Sequence, residues 1–533
     1  MKPYLLAILI LFKIGSPLMA QEIEADTLTL PNIVLIVIDD MGWNDVSYHG
    51  SEIRTPTMDR LAKEGIELNR FYVHPACSPT RSALMTGKAA VRLGFVNPLG
   101  KNNVRGLPLS EKIMPQYFQE KGYSTNLVGK WHLGRFKKEY WPYNRGFDHF
   151  YGYLTGGIGH YDHIHGGGLD WQRNGETIRE EGYSTHLLTD EAIKIIQNPK
   201  SAQPFFLELC YAAPHMPNEA PAETVATYQH IDNENRRLHA AMVTEVDAGI
   251  QRIYETLEST GQLDNTIIWV MSDNGGQNKA GSPDAVLKPL ARLTKIFGEP
   301  IPFPFLEFVR DNVVNGAADN SPLKGGKNTA YEGGIRVPAF IYAPKFLQQQ
   351  KIDQRVTVND VLPTLASAIG SNSFDQTAAD GISQWQYLKQ EASAPSRDFI
   401  AVSRFNQAYF RDGWKLVLPN DGEAELYKPA EDPSETANLA LDHPEIVGDL
   451  KAALQDFPRG ATVDDPLWKV FVDPDLFGGK EDREPFAGVE GKIAGPLHPN
   501  LYLFPLVMLA FLSLVVGVVF KLIQSIRTRP TNP

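Results

Sequence analysis

The chain has 533 residues, a formal net charge of −12, 43% hydrophobic residues and 21% charged residues. That is a globular composition with enough length for a sizeable core, which excludes a disordered or collagen-like chain. The acidic balance argues against a general nucleic-acid binder. With only two cysteines, Cys77 and Cys210, a disulfide-stapled scaffold is excluded as well.

Met1–Ala20 reads as a secretory signal: Lys2 gives a positive start, Tyr4–Phe12 is an apolar run, and Leu18-Met19-Ala20 ends on a small residue. Asn32–Ile38 is a β-branched apolar run, the pattern of a strand buried on both faces of a parallel sheet. Pro204–Ala212 and Thr266–Met271 repeat it, and helical patterns fall between at Ser110–Lys121, Thr185–Gln197 and Asn235–Ser259. Alternation of this kind predicts an α/β fold with a mostly parallel sheet flanked by helices, with functional groups at the carboxyl ends of its strands. Val358–Ile369 closes this domain, placed at 31–369, as a helix.

A polar stretch, Gly370–Pro395, follows. Phe399–Phe405, Gln407–Arg411 and Trp414–Leu418 then read as short strands separated by Asp-Gly turns. They predict a smaller C-terminal antiparallel α+β subdomain over 370–459. Residues 460–500, rich in Pro, Gly and Asp, read as a linker to Leu501–Phe520, which is uncharged and long enough to span a bilayer as a helix. The basic residues of the tail 521–533 place that tail in the cytoplasm and the body outside. With no Asn-x-Ser/Thr acceptor in the exported body, the expectation is a bacterial periplasmic or cell-surface protein.

Asp39-Asp40 directly follows the first apolar run, and Asp273-Asn274-Gly275-Gly276 follows the third. Adjacent carboxylates repel, and a hard cation such as Ca²⁺ or Mg²⁺ relieves that repulsion through oxygen ligands. Either pair alone suits a solvated turn equally well; together they can supply a hard metal site. Cys77 opens Cys77-Ser78-Pro79-Thr80-Arg81. A thiol has little use beside hard oxygen ligands, because thiolates prefer softer metals; the alternative is a buried structural cysteine, as expected for Cys210.

The Cys77–Gly87 segment resembles the Cys-x-Pro-x-Arg signature of the sulfatase family. Gly129-Lys130-Trp131-His132-Leu133-Gly134 is similar to that family's second signature, and Asp273–Gly276 to its metal segment. Pro214-His215-Met216-Pro217 and Gly326–Gly334, which contains Lys327, fit the same pattern. The resemblance covers roughly 31–440 and, through Gly42–Val46, Glu52–Pro56, Arg145–Asp148 and Tyr151–Leu154, is strongest to the arylsulfatase B, or N-acetylgalactosamine-4-sulfatase, branch. It implies an alkaline-phosphatase-like fold and an arylsulfatase-type sulfuric ester hydrolase. It also implies that a maturation enzyme converts Cys77 to formylglycine, whose hydrate attacks sulfur and forms a covalent sulfo-enzyme.

By the same resemblance, Asp39, Asp40, residue 77, Asp273 and Asn274 hold Ca²⁺. Lys130 and Lys327 hold sulfate oxygens, Arg81 supports residue 77, His215 protonates the leaving alcohol and His132 takes the proton that releases sulfate. The implied substrate is a sulfated carbohydrate; because the net charge is negative, its attraction must be local, through Ca²⁺, Lys130, Lys327 and Arg81.

Two features depart from the family pattern. His160-Tyr161-Asp162-His163-Ile164-His165 suits zinc ligation, a solvated loop or a substrate-pocket wall. In the last reading His163 contacts substrate where relatives carry a Ser-His pair. Asn278–Ser321 is longer than in the arylsulfatase B pattern and includes apolar Ile301–Val309; it reads as a lid or pocket wall, or as a surface insertion. A phosphoester or phosphonate monoester hydrolase of the same superfamily and a non-catalytic, membrane-tethered binder of sulfated glycans are the alternatives. Ser or Thr with two zinc ions would mark the phosphatases; Asn274 and one compact metal set favour sulfate.

Overall fold

The apolar runs become neighbouring strands. The computed structural model describes residues 30–462 apart from 101–102, 166–167, 199–202, 280–316 and 421. The signal Met1–Ala20, most of the 460–500 linker, the apolar Leu501–Phe520, the tail 521–533 and Ile301–Val309 of the insertion lie outside the described residues. Among the described residues no helix is long and apolar enough to cross a membrane.

Five strands run parallel in the spatial order His149–Tyr153, Ser124–Lys130, Phe205–Cys210, Asn32–Ile38 and Thr266–Ser272. Short strands extend both edges: Ala339–Tyr342, Ile66–Leu68 and Gln350–Ile352 beyond Thr266–Ser272, and Gln172–Arg173 with Glu176–Thr177 beyond His149–Tyr153. The edges are mixed, since Ala339–Tyr342 pairs antiparallel to Thr266–Ser272 and Gln172–Arg173 antiparallel to His149–Tyr153. Every residue of Asn32–Ile38, Phe205–Cys210 and Thr266–Ser272 is buried, as a sheet covered on both faces requires.

The register brings the functional strand ends together. Val37 pairs with Cys210, Ile38 with Ser272, and Cys210 with Gly129. Gly129 has φ 107°, and a Cβ there would lie 1.9 Å from the Cys210 carbonyl oxygen, so only glycine fits.

The helix predicted at Asn235–Ser259 is Glu234–Ser259 and is capped by the Asn233 side chain, which accepts from the Arg236 N–H. Its Met242, Val246, Ile250, Ile253 and Leu257 recur at helical spacing and pack into the core beside the sheet. Each such burial contributes roughly 1.5–3 kcal/mol. Thr185–Gln197 is confirmed with one more residue, as Ser184–Gln197, whereas the run from Ser110 is helical only over Met114–Glu120. Pro115 sits in its first turn, where its missing N–H is tolerated.

Toward the C terminus, Phe399–Val402, Asn406–Arg411, Trp414–Pro419 and Glu425–Tyr427 form a four-stranded antiparallel sheet. Alternate residues face opposite ways. Phe399, Ala401, Ala408, Phe410, Val417 and Tyr427 pack with Tyr72, Ala330 and Ile335 of the larger domain. Ile400, Val402, Tyr409, Leu416 and Leu426 pack with Leu450 and Leu454 of the helix Pro444–Asp456.

Asp45 is a buried ionic tie within this frame. It accepts from Arg236 Nη1 at 2.5 Å, His239 Nε2 at 2.9 Å and the Gly42 N–H at 2.8 Å. These partners outweigh burial and hold its carboxyl well below the usual carboxylate range. Asp45→Ala is expected to lower stability by about 2–4 kcal/mol at pH 7, because buried His239 loses its partner and Arg236 keeps only the more exposed Glu52. Because the folded-state pKa of Asp45 is depressed, its contribution is present above about pH 4 and is lost as pH falls. Urea denaturation at pH 7 showing less than about 1 kcal/mol difference would contradict this tie.

Candidate active site

Four loops leave the carboxyl ends of adjacent strands and deliver Asp39-Asp40, Lys130 to His132, His215 and Asp273-Asn274 to one place. The fifth element is the helix Cys77–Thr86, buried at every residue, with Cys77 at its first position and Gly87 ending it at φ 69°. The sixth is the turn carrying Lys327. Its backbone N–H donates to the Gly276 carbonyl at 3.2 Å, and the next N–H, of Asn328, donates to the Pro75 carbonyl at 2.7 Å. Gly275 must be bare for this turn to approach, because a Cβ there would lie 1.9 Å from the Gly333 carbonyl oxygen.

Three carboxylates and three cations interlock. Lys130 Nζ donates to Asp39 Oδ2 at 2.7 Å, and Lys327 Nζ to Asp40 Oδ2 at 2.6 Å. Arg81 donates through Nε and Nη2 to Asp273 Oδ2 at 3.1 and 2.9 Å and through Nη1 to the Lys130 carbonyl at 3.0 Å. Asn274 Nδ2 donates to Asp40 Oδ1 at 2.7 Å. Arg81, expected beside residue 77, therefore bonds a carboxylate of the predicted metal set.

Burial and charge set the protonation states. Burial, reinforced by Asp273 and Asp40, pushes the Asp39 carboxyl up to about 8 despite Lys130. For Asp40, burial is overcome by Lys327, His215 and Lys130, and the carboxyl stays ionised. Burial pushes the Cys77 thiol up to about 11, so at neutral pH it is protonated and a weak nucleophile. Burial holds both His132 and His215 well below the usual imidazole range.

Backbone carbonyls select the tautomers. The Leu99 carbonyl lies 2.9 Å from His132 Nε2, which must carry the proton, and His132 Nδ1 is buried with no hydrogen-bond partner. The Met216 carbonyl lies 2.8 Å from His215 Nδ1, so the basic atom of the neutral ring is Nε2, 3.7 Å from Asp40 Oδ2. The His215 side chain is 16% exposed and those of Asp39 and Lys130 are 0% exposed, so the cluster meets solvent on the His215 side.

The donor set fits a hard cation. Asp39, Asp40, Cys77 and His215 each offer a ligand atom, all within 4.8 Å of one another. Asp39 Oδ1 and Asn274 Oδ1 are buried oxygens without a hydrogen-bond donor, a costly arrangement that a bound cation removes. The sulfur is the misfit among these ligands, and an oxygen at residue 77 would complete a hard set.

His163 does not join the cluster. Its ring is buried and stacks on Trp171 with centroids 4.3 Å apart. His160 is instead the residue of that segment tied to the site: its Nε2 lies 2.9 Å from the His215 carbonyl and its Nδ1 2.9 Å from Ser184 Oγ. No metal-ligating group forms around His160, His163 and His165 among the described residues.

Three contributions escape the sequence reading. Ser78 Oγ donates to the His132 carbonyl at 2.9 Å and accepts from the Leu99 N–H at 3.0 Å, fixing the loop that orients His132. Gly156 and Gly157 pass so close that a Cβ would lie 2.6 Å from the His132 ring and 2.8 Å from the His215 ring. The run Thr155-Gly156-Gly157-Ile158-Gly159-His160 carried a signal for this close approach in its glycines, but not for its target.

The site and its sheet define the class. The sulfatase family profile matches residues 31–371, and the chain belongs to the sulfatase family, a class of sulfuric ester hydrolases. It is 34% identical to arylsulfatase J of Mus musculus over 380 residues, 69% of this chain and 58% of that protein. It is 30% identical to N-acetylgalactosamine-6-sulfatase of Homo sapiens over 383 residues, 68% of this chain and 66% of that protein. It thus spans under two thirds of either relative's length. Among solved structures, Ps i-CgsB in complex with k-i-k-neocarrahexaose is similar with a TM-score of 0.71 and 29% identity, covering 84% of this chain and 97% of that one.

Arg81→Lys tests the interlock. It keeps the charge but loses the planar fork, and stability is expected to fall by about 2–4 kcal/mol as Asp273 loses its paired donors. An unchanged urea midpoint would contradict the role of Arg81 as the partner of Asp273.

Proposed function

We propose that this chain hydrolyses a sulfate monoester on a sulfated carbohydrate, with residue 77 as formylglycine and Ca²⁺ as the metal. The observation that carries this reading is the convergence of Asp39, Asp40, Asp273, Asn274 and residue 77 with two buried lysines. Three buried carboxylates are matched by Lys130, Lys327 and Arg81, so a divalent cation leaves the site positive and suited to an anionic ester. When bound, Ca²⁺ would be held by Asp39, Asp40, Asp273, Asn274 and residue 77 and would supply Lewis-acid polarisation of a sulfate oxygen.

The protein's own groups divide the remaining work. Burial would by itself weaken the charge on Lys130 and Lys327, but Asp39 and Asp40 keep both ammonium groups protonated. They are fixed positive charges for sulfate oxygens, built in before substrate arrives. His132 Nδ1, basic and unpartnered, is the atom placed to take a proton inside the pocket. His215, the part-exposed histidine, holds Nε2 3.7 Å from Asp40 Oδ2, where it would protonate a leaving alcohol; a proton gained there would be stabilised by Asp40 and by an incoming anion. The protonated thiol of Cys77 is a poor nucleophile among hard ligands, which supports its replacement by an oxygen nucleophile.

The names of similar proteins support the substrate class, since N-acetylgalactosamine-6-sulfatase and a structure holding a neocarrahexaose are among them. Export and a membrane anchor are part of the proposal and rest on the apolar segments Met1–Ala20 and Leu501–Phe520; a formylglycine-generating partner is part of it too and rests on the Cys77-Ser78-Pro79-Thr80-Arg81 signature.

Sulfate release from a panel of defined sulfated saccharides, run beside matched aryl sulfate and aryl phosphate esters, tests the reading. Sulfate esters should be strongly preferred, Cys77→Ala should abolish turnover, and the Cys77 peptide of active enzyme should lack sulfur by mass spectrometry. Preference for the phosphate ester, or full activity with the cysteine intact, would overturn it.

A further inference from the structure

Lys327 sits on a segment, Lys324–Gly334, whose inner edge touches the site and whose outer edge touches the C-terminal four-stranded sheet. The inner contacts are the backbone bonds to Gly276 and Pro75 already described. The outer contacts are side chains of the sheet and of the loop that follows it. Asn406 Oδ1 accepts from the Ala330 N–H at 2.7 Å. Glu425 accepts from Lys324 Nζ at 2.9 Å and from the Tyr331 hydroxyl at 2.8 Å. Glu435 Oε2 accepts from the Glu332 N–H at 2.8 Å.

At the centre is a buried charge triad. Lys415 Nζ lies 2.9 Å from Glu332 Oε1 and 2.7 Å from Glu435 Oε1, and all three residues are almost inaccessible to solvent. The Tyr72 hydroxyl donates to the other oxygen of Glu332 at 2.8 Å. Buried charges of this kind hold geometry strictly, because any separation strands an ion in a low dielectric. The segment needs holding. Asn328, next to Lys327, has φ 71°, a left-handed conformation that asparagine tolerates, and Glu435 has φ 53°, which costs a longer side chain and is held by its bonds to Lys415 and the Glu332 N–H.

We propose that the C-terminal sheet is part of the sulfate-binding machinery, with Lys415, Glu435, Asn406 and Glu425 as positioning residues that set the placement of Lys327 by gripping Lys324–Gly334. This rests on the reading of Lys327 as a ligand for the sulfate group. The ammonium group reaches Asp40 and the pocket only from a turn held on both edges. A loosened outer edge weakens binding of the sulfate group in ground state and transition state alike, which raises KM more than it lowers kcat.

The test compares the full-length enzyme with two variants. In the first, Lys415→Met and Glu435→Gln break the triad as a matched pair, leaving Glu332 beside Arg336 at 3.8 Å so that no buried charge is left unpaired. In the second, Asn406→Ala removes the neutral acceptor of the Ala330 N–H, together with the bond it accepts from Ser403 Oγ at 3.1 Å. Four quantities are read: KM and kcat for an aryl sulfate, the inhibition constant of inorganic sulfate, and hydrogen–deuterium exchange of peptides covering 324–334.

For the triad variant, KM and the sulfate inhibition constant should each rise about tenfold with kcat changed by less than about threefold. Exchange should speed up over 324–334 while peptides around Asp39 and Lys130 stay as in the wild type. Asn406→Ala should shift the same quantities in the same direction, and it carries the test if the triad variant does not fold. Folded variants with wild-type KM, sulfate inhibition and exchange would overturn the proposal, as would faster exchange with unchanged KM. If the wild-type enzyme turns over no sulfate ester, the functional reading fails by itself, and exchange over 324–334 alone decides whether the sheet grips the segment.

Discussion

Everything in this molecule is arranged around the burial of three carboxylates and three cations at the ends of adjacent parallel strands. Asp39, Asp40 and Asp273 would repel one another, and each loses its hydration by burial. Lys130, Lys327 and Arg81 answer them one for one at hydrogen-bond distance. The balance is local and owes nothing to the chain's overall charge, which describes the surface. It is also incomplete: Asp39 Oδ1 and Asn274 Oδ1 remain without donors, and Asp39 tends toward protonation. A site whose charges are matched in number and that still holds undersatisfied oxygens fits a hard cation.

That constraint explains the glycines and the strained residues nearby. Strands and turns must approach closely enough for short side chains to meet, and Gly129 and Gly275 permit the two tightest backbone approaches around the cluster. Asp40 and His132 take left-handed φ values of 69° and 58° at the points where strands give way to the site. Their cost is offset by the packing of the sheet and of the buried helix Cys77–Thr86. The two histidines are then distinguished by environment rather than identity. His132 is sealed in with a free basic nitrogen, while His215 faces the opening.

The parallel centre of the sheet was legible because Asn32–Ile38, Phe205–Cys210 and Thr266–Ser272 are continuous apolar runs, the mark of strands covered on both faces. Asp39-Asp40 and Asp273-Asn274 were legible because polar pairs right after such runs fall on the functional edge of a parallel sheet. The short strands Ile66–Leu68 and Ala339–Tyr342 have too few residues for a period to show. The helix Pro444–Asp456 buries only Leu450 and Leu454, so its apolar stripe is faint in the sequence. His163 attracted attention by residue type, yet its ring found Trp171. The residue of its segment that bonds the His215 loop is His160, a tertiary contact that local pattern does not encode. The partnership of Lys415 with Glu332, 83 residues apart, is likewise a product of the fold.

Calorimetric titration of Ca²⁺ into chelator-treated protein addresses the charge balance most directly. One ion per chain is expected in the wild type, with affinity lowered at least about tenfold in Asn274→Ala, the residue that contributes an oxygen but no charge. No Ca²⁺ binding, or binding indifferent to the loss of Asn274, would contradict a cluster built to receive a hard cation.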